Sequence, residues 1–177
     1  MTKEKKLRTV ATISARSFSV NLDEVELPSG RVKERIRVEH PDAAALVPIL
    51  EDGRIIFVKQ YRYSIQEETL EIPAGKIDLG EDPEGCIQRE FLEETGYRVK
   101  NLEFILKYVP AIGYSSEVLF IYKGTGIVPQ TGNPFSSDEI SKVEILSFDE
   151  IRSCINKGII KDGKTLIALY ALYCTCF

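Results

Sequence analysis

Glu90, Glu93 and Glu94 stand at positions i, i+3 and i+4, a spacing that gathers three carboxylates within one narrow arc of a helix. Like charges so placed repel one another, more strongly as their surroundings lose water, so a cation is expected beside them. Oxygen ligands of this kind suit a hard divalent ion, Mg2+ with Mn2+ able to substitute. Arg89, one turn before Glu93, can fix one carboxylate by a charge-assisted hydrogen bond while the others stay free for metal. A Glu-rich helix is also a common solvated surface, and the three acids by themselves do not decide between the two.

The elements that must position these acids are legible around them. Asp82 is a capping residue, Pro83 fits the first helical position, and Gly96 can take the left-handed conformation that ends a helix. A helix over 83–95 follows, with Ile87, Phe91 and Leu92 anchoring it to a sheet and leaving the acids at a cleft. Upstream, Phe18, Val20 and Leu22, and then Val32, Ile36 and Val38, alternate with polar neighbours and predict two early strands. Apolar runs at 43–50 and 55–61 flank Asp52-Gly53 and predict a β-hairpin. A short strand at 70–72 leads into Pro73-Ala74-Gly75, and further strands are expected at 99–108, 117–122 and 141–146. The polar loop 129–137 before the last strand is a candidate functional element. Ser147 and Glu150 have capping-box spacing for a helix to about Asn156, and 164–173 is a second, strongly apolar helix.

The 177 residues suit one domain, and 44% apolar with 28% charged residues is an ordinary globular composition. A net charge of −4 and a pI near 5.2 argue against nucleic acid as a partner, because a phosphate-backbone footprint needs clustered cations. A small anionic substrate is still allowed, since a bound divalent ion supplies positive charge locally. No apolar run reaches signal or membrane-spanning length, so a cytoplasmic protein without membrane contact is expected. Cys86, Cys154, Cys174 and Cys176 lack paired C-x-x-C spacing and read as reduced thiols. His40, the single histidine, precedes Pro41 in an extended stretch and reads as a turn residue rather than a catalyst.

The string Gly75-x5-Glu81-x7-Arg89-Glu90-Phe91-Leu92-Glu93-Glu94-Thr95-Gly96-Tyr97 resembles the Nudix box at every fixed position, with Phe91 and Tyr97 where the family more often has aliphatics. The resemblance implies an α/β fold, the Nudix α/β/α sandwich with a mixed sheet, in which a loop, a helix and a loop present Mg2+ to a diphosphate. It makes Glu90 and Glu94 the principal metal ligands, with Glu93 assisting and the Ala74 carbonyl as a further ligand. Gly75 allows close approach of backbone to metal and phosphate. Glu81 steadies the loop, reaches a metal through water, or is simply an exposed acid in the run Glu81-Asp82.

Segments beyond the box look like the ADP-ribose pyrophosphatase branch over roughly residues 14–173: Val25-Glu-Leu-Pro-Ser-Gly30, Val38-Glu-His-Pro41, Val58-Lys-Gln-Tyr-Arg-Tyr63, Leu70-Glu-Ile-Pro-Ala-Gly75 and 162–169. That likeness implies a nucleotide-sugar site lined by Arg62, for a phosphate or terminal ribose, by Glu71, for ribose hydroxyls, and by Glu117. It also implies a homodimer, with residues 1–40 as an antiparallel N-terminal β extension on a core of 41–177. The reaction expected is attack of water on a phosphorus of ADP-ribose to give AMP and ribose 5-phosphate, with Glu93 and Glu94 in the catalytic set and Glu139 or Asp138 as the base. Two departures bear on substrate: Ala111-Ile112-Gly113 stands where the branch has a Ser-Pro-Gly-like segment, and Ser136-Ser137-Asp138-Glu139 where relatives often have a run of acids. Another sugar nucleotide such as GDP-mannose, or a Nudix module that binds nucleotide sugars without cutting them, are the alternatives.

Overall fold

The computed structural model describes residues 3–130 and 140–174, so the two base candidates, Asp138 and Glu139, lie outside the described residues. Contacts divide the chain into two compact units, Met1–Asp42 with Tyr108–Val118 and Ala43–Lys107 with Leu119–Phe177.

The first unit is built on an antiparallel sheet of β1 (Lys5–Ser14), β2 (Ser19–Glu26) and β3 (Val32–Glu39), with β2 central. Alternation predicted β2 and β3. β1 was not predicted, since its ten residues are all exposed and mostly charged or polar; what holds it is pairing across to β2. Arg8 donates to Glu24 at 2.7 Å, and the Thr9 and Thr12 hydroxyls donate to Asp23 and Asn21, each at 2.7 Å. The segment 108–118 returns beside β3, where the Val38 N–H donates to the Tyr114 carbonyl at 2.7 Å.

In the second unit, β4 (Ala43–Pro48), β5 (Ile55–Arg62), β6 (Glu67–Glu71) and β7 (Ala74–Lys76) precede α1 (Pro83–Thr95). After it come β8 (Tyr97–Arg98), β9 (Asn101–Tyr108), β10 (Leu119–Thr125), β11 (Val128–Pro129), β12 (Ile140–Leu146), α2 (Phe148–Asn156) and α3 (Gly163–Cys174). A mixed sheet runs β7-β4-β10-β9, with β10 parallel and β7 antiparallel to β4; an antiparallel sheet runs β12-β5-β6. The α/β class with a mixed sheet and an antiparallel N-terminal extension is therefore as expected.

The 43–61 hairpin is corrected. Its turn forms, with Gly53 at φ 83°, but β4 and β5 enter different sheets and share only the bridge between Ile49 and Ile55. β4 is buried along its whole length, and β7 and β10 occupy both of its edges, so no ladder position remains for β5. The strand expected over 99–108 is β9, which joins the mixed sheet, and the two-residue β8 before it pairs separately with β11. Among the described residues no helix is long and apolar enough to cross a membrane.

Candidate functional site

Helix α1 has the termini its sequence predicts. The Asp82 carboxylate accepts from the Gly85 N–H at 2.7 Å, Pro83 opens the helix, and Gly96 at φ 74° closes it by donating its N–H to Leu92. Ile87 and Phe91 are fully buried in a core with Ala44, Leu46, Ile56 and Tyr122. Burying this stripe dictates where the acids go, because Glu90 and Glu94 flank it and Glu93 does not.

The three carboxylates therefore separate into two plus one. Glu94 is only 8% exposed, and its Oε2 accepts from the Ala74 N–H at 3.2 Å. The Glu90 carboxyl lies against Gly75 so closely that a Cβ there would overlap it, which is the structural reason for glycine. The Glu93 side chain is 52% exposed and, among the described residues, reaches only Arg89, at 3.5 Å. Among the described residues no three His, Cys, Asp or Glu side chains are gathered into a ready-made metal cluster.

Arg89 fixes one carboxylate of the set, Glu90, as expected, and holds a second acid besides. Its Nε and Nη2 donate to both oxygens of Glu81, each at 2.9 Å, while Nη1 donates to Glu90 at 2.8 Å. Glu81 also accepts from the Asp78 N–H at 3.0 Å, so it closes the 76–82 loop onto the helix. The Arg89 bonds hold the Glu81 carboxyl down at about 2. Of the three readings left open for Glu81, the geometry matches the loop-steadying one.

Burial pushes Glu94 up to about 8, and the neighbouring Glu90 charge adds to the rise; Glu90 is itself raised by burial, against the pull of Arg89. A buried and a half-buried carboxylate one turn apart, the charge of Glu90 disfavouring that of Glu94, form a donor set that a hard divalent cation would relieve. Oxygen donors on a glycine backbone with no thiol or imidazole fit such an ion. Nudix hydrolases generally use divalent metal ions. Cys86 is buried beneath the loop, its thiol pushed up to about 12 by burial and facing the Gly75 and Lys76 carbonyls.

Beside this pair lies a network that sequence reasoning only partly found. Both oxygens of Glu71, which is 2% exposed, are engaged: Oε1 by Arg62 Nε at 2.7 Å and by the Thr69 hydroxyl, Oε2 by Arg62 Nη2 at 2.6 Å and by the Lys164 ammonium. Burial would raise Glu71, but the Arg62 bonds and the Lys164 and Arg62 charges hold it down at about 2. Among the described residues Arg62 Nη1 has no partner, and this side chain is 41% exposed. Lys164 was missed, because nothing in the spacing of α3 marks its one lysine as buried. Glu117 belongs to the first unit, where His40 Nδ1 lies 3.6 Å from it and 2.7 Å from the Pro41 carbonyl. An apolar groove of about 600 Å3 between α2 and α3, lined by Phe148, Ile151, Leu166 and Tyr170 among others, contains none of the predicted site residues.

The NUDIX domain model matches residues 39–168. The methanol dehydrogenase activator of Bacillus methanolicus is 35% identical over 171 residues, covering 96% of this chain and 92% of that protein. The ADP-ribose pyrophosphatase of Bacillus subtilis strain 168 is 31% identical over 170 residues, covering 96% of this chain and 92% of that one. A solved structure described as an ADP compounds hydrolase superposes with a TM-score of 0.81 at 23% identity, covering 97% of this chain and 92% of its own, a likeness of fold. A model spanning most of the chain and relatives above 30% identity along nearly all of it agree with the acid-bearing helix: the chain belongs to the NUDIX domain family and is a Nudix hydrolase.

Proposed function

We propose that this chain hydrolyses the pyrophosphate bond of a nucleoside diphosphate sugar in a Mg2+-dependent reaction, with ADP-ribose giving AMP and ribose 5-phosphate. The observation that carries the reading is buried Glu94 and half-buried Glu90 laid on the Ala74–Gly75 backbone, with the Arg62 charge within Coulombic reach of Glu94. Likeness to an ADP-ribose pyrophosphatase over nearly the whole chain supports the substrate class.

A divalent ion, when bound, supplies charge neutralisation of the diphosphate and a more acidic water. Glu90 and Glu94 would hold it, with the Ala74 carbonyl and Glu93 as further donors. Arg62, pinned by Glu71 on one edge, offers Nη1 to a substrate phosphate or terminal ribose, so Glu71 acts by holding Arg62. Glu117 contacts the terminal ribose. Glu139 or Asp138 takes the proton from the attacking water as the phosphorus–oxygen bridge breaks, an assignment that rests on sequence position. The protein works as a homodimer through its N-terminal β extension and acts on small molecules in the cytoplasm, away from nucleic acid and membrane.

Purified protein with Mg2+ is expected to release AMP and ribose 5-phosphate from ADP-ribose, read by anion-exchange chromatography, faster than it cleaves GDP-mannose. The departure at Ala111-Ile112-Gly113 favours the second substrate, and a reversed preference would select it. Binding of ADP-ribose by calorimetry without product after long incubation would instead identify a nucleotide-sugar-binding module.

A further inference from the structure

Three of the bonds that fasten the run from Glu71 to Ala74 reach helices, two of them α3. Ile72 donates its N–H to the Thr165 hydroxyl at 3.0 Å, and the Lys164 ammonium meets Glu71 Oε2. The third is the bond from the Ala74 N–H to Glu94 on α1. Asp162 organises the α3 side: its Oδ2 accepts from the Thr165 N–H at 2.9 Å, the Thr165 hydroxyl at 2.6 Å and Lys164 Nζ at 3.0 Å. The Lys164 side chain is only 12% exposed, an uncommon position for an ammonium unless it is paired, and it is paired with two carboxylates.

We propose that Lys164 is a positioning residue for substrate: it shares Glu71 with Arg62, fixes the Arg62 guanidinium with its Nη1 edge outward, and adds a buried positive charge beside Glu94. The four charges Arg62, Lys164, Glu71 and Asp162 sum to zero. Removing Lys164 therefore leaves the site one charge more negative, which disfavours an anionic diphosphate and favours a divalent cation. Ile72, bonded to Thr165 of α3, and Ala74, bonded to Glu94, stand two residues apart in one run, so the coupling reaches the acidic pair. The substrate class rests on the function proposed above; the electrostatic effect on cation binding does not.

A role limited to holding the fold would weaken substrate and cation binding together, whereas the positioning role separates them. In Lys164→Met, KM for ADP-ribose should rise about tenfold, equivalent to roughly 1.4 kcal/mol of lost binding, with a smaller change in kcat. Calorimetry with Mn2+ alone should give an affinity equal to or tighter than wild type. Lys164→Arg, which keeps the charge and folds if Lys164→Met does not, should bring KM back to within about threefold of wild type while leaving Mn2+ affinity unchanged. Mn2+ affinity that falls in Lys164→Met, or in Lys164→Arg, in step with melting temperature overturns the proposal, as does an unchanged KM in a folded Lys164→Met protein. If wild type cleaves neither ADP-ribose nor GDP-mannose, the function reading fails, and the Mn2+ comparison still decides the role of Lys164.

Discussion

Glu94 and Gly75 show how much a single residue controls here. In metal-free protein Glu94 keeps its proton to about pH 8, while the unfolded chain releases it near the ordinary 4.5. Between those values the folded state binds the extra proton, so stability falls as pH rises from about 5 to 8, by on the order of a few kcal/mol. Glu71 acts in the opposite sense: held at about 2, it contributes stability above its ordinary value that is lost as pH falls toward 2. Thermal melts in EDTA across pH 5.5–8.5 should show the decline, Glu94→Gln should flatten it, and Mg2+ should raise the melting temperature more at pH 8 than at pH 6. A wild-type melting temperature that does not change across that range would contradict the assignment. At saturating Mg2+, Glu94→Gln should also lose on the order of a hundredfold in turnover. Gly75→Ala makes a sharper test, because the added methyl meets the flexible end of the Glu90 side chain and not backbone. Its melting temperature should stay within a few degrees of wild type, while hydrolysis falls at least about tenfold as the carboxyl is displaced.

At the scale of elements, α1 and its preceding loop act as one part. The Glu81–Arg89 clasp fixes the loop, and Arg89 Nη1 then steadies Glu90, so Arg89→Lys, which cannot make the two-pronged contact, should raise the Mg2+ concentration for half-maximal activity several-fold. Turnover at saturating Mg2+ should fall less, a split read from Mg2+ titrations of initial rate. The helix end gives a purely conformational prediction. Nothing lies within 4 Å of a Cβ built on Gly96, yet its φ of 74° is one that L side chains rarely adopt. Gly96→Ala should therefore cost about 1 kcal/mol in urea denaturation with metal affinity unchanged.

For the whole molecule, the pairing register of the first unit places Ile13, Val20 and Val38, and then Ala11, Leu22 and Ile36, on one sheet face. Ile13 is 75% and Ile36 60% exposed there, an apolar face that is costly to leave in water. The homodimer proposed for this chain would cover it. Light scattering is expected to give twice the mass of one chain for wild type, and the pair Ile13→Asp with Ile36→Asp is expected to give the monomer mass. A monomeric wild type would remove the assembly from the proposal.

The local sequence determined the parts whose physics is local. Asp82, Pro83 and Gly96 bracket α1, Ser147 and Glu150 cap α2, and Asp52-Gly53 makes its turn, because each acts through backbone groups within a few residues. The acid pattern of α1 was legible for the same reason, since helical spacing fixes which side chains share a face. Tertiary structure decided the rest. Which of three clustered acids is withdrawn from water depended on how Ile87 and Phe91 meet the sheet, and that burial, not the spacing, raises Glu94 and Glu90 and leaves Glu93 outside. β4 and β5 part because β7 and β10, distant in sequence, occupy the edges a hairpin would use. β1 is held by pairing with its neighbour, and one of the two carboxylates that pair with buried Lys164, Glu71, lies 93 residues earlier; sequence-distant partners of this kind leave no periodic trace along the chain.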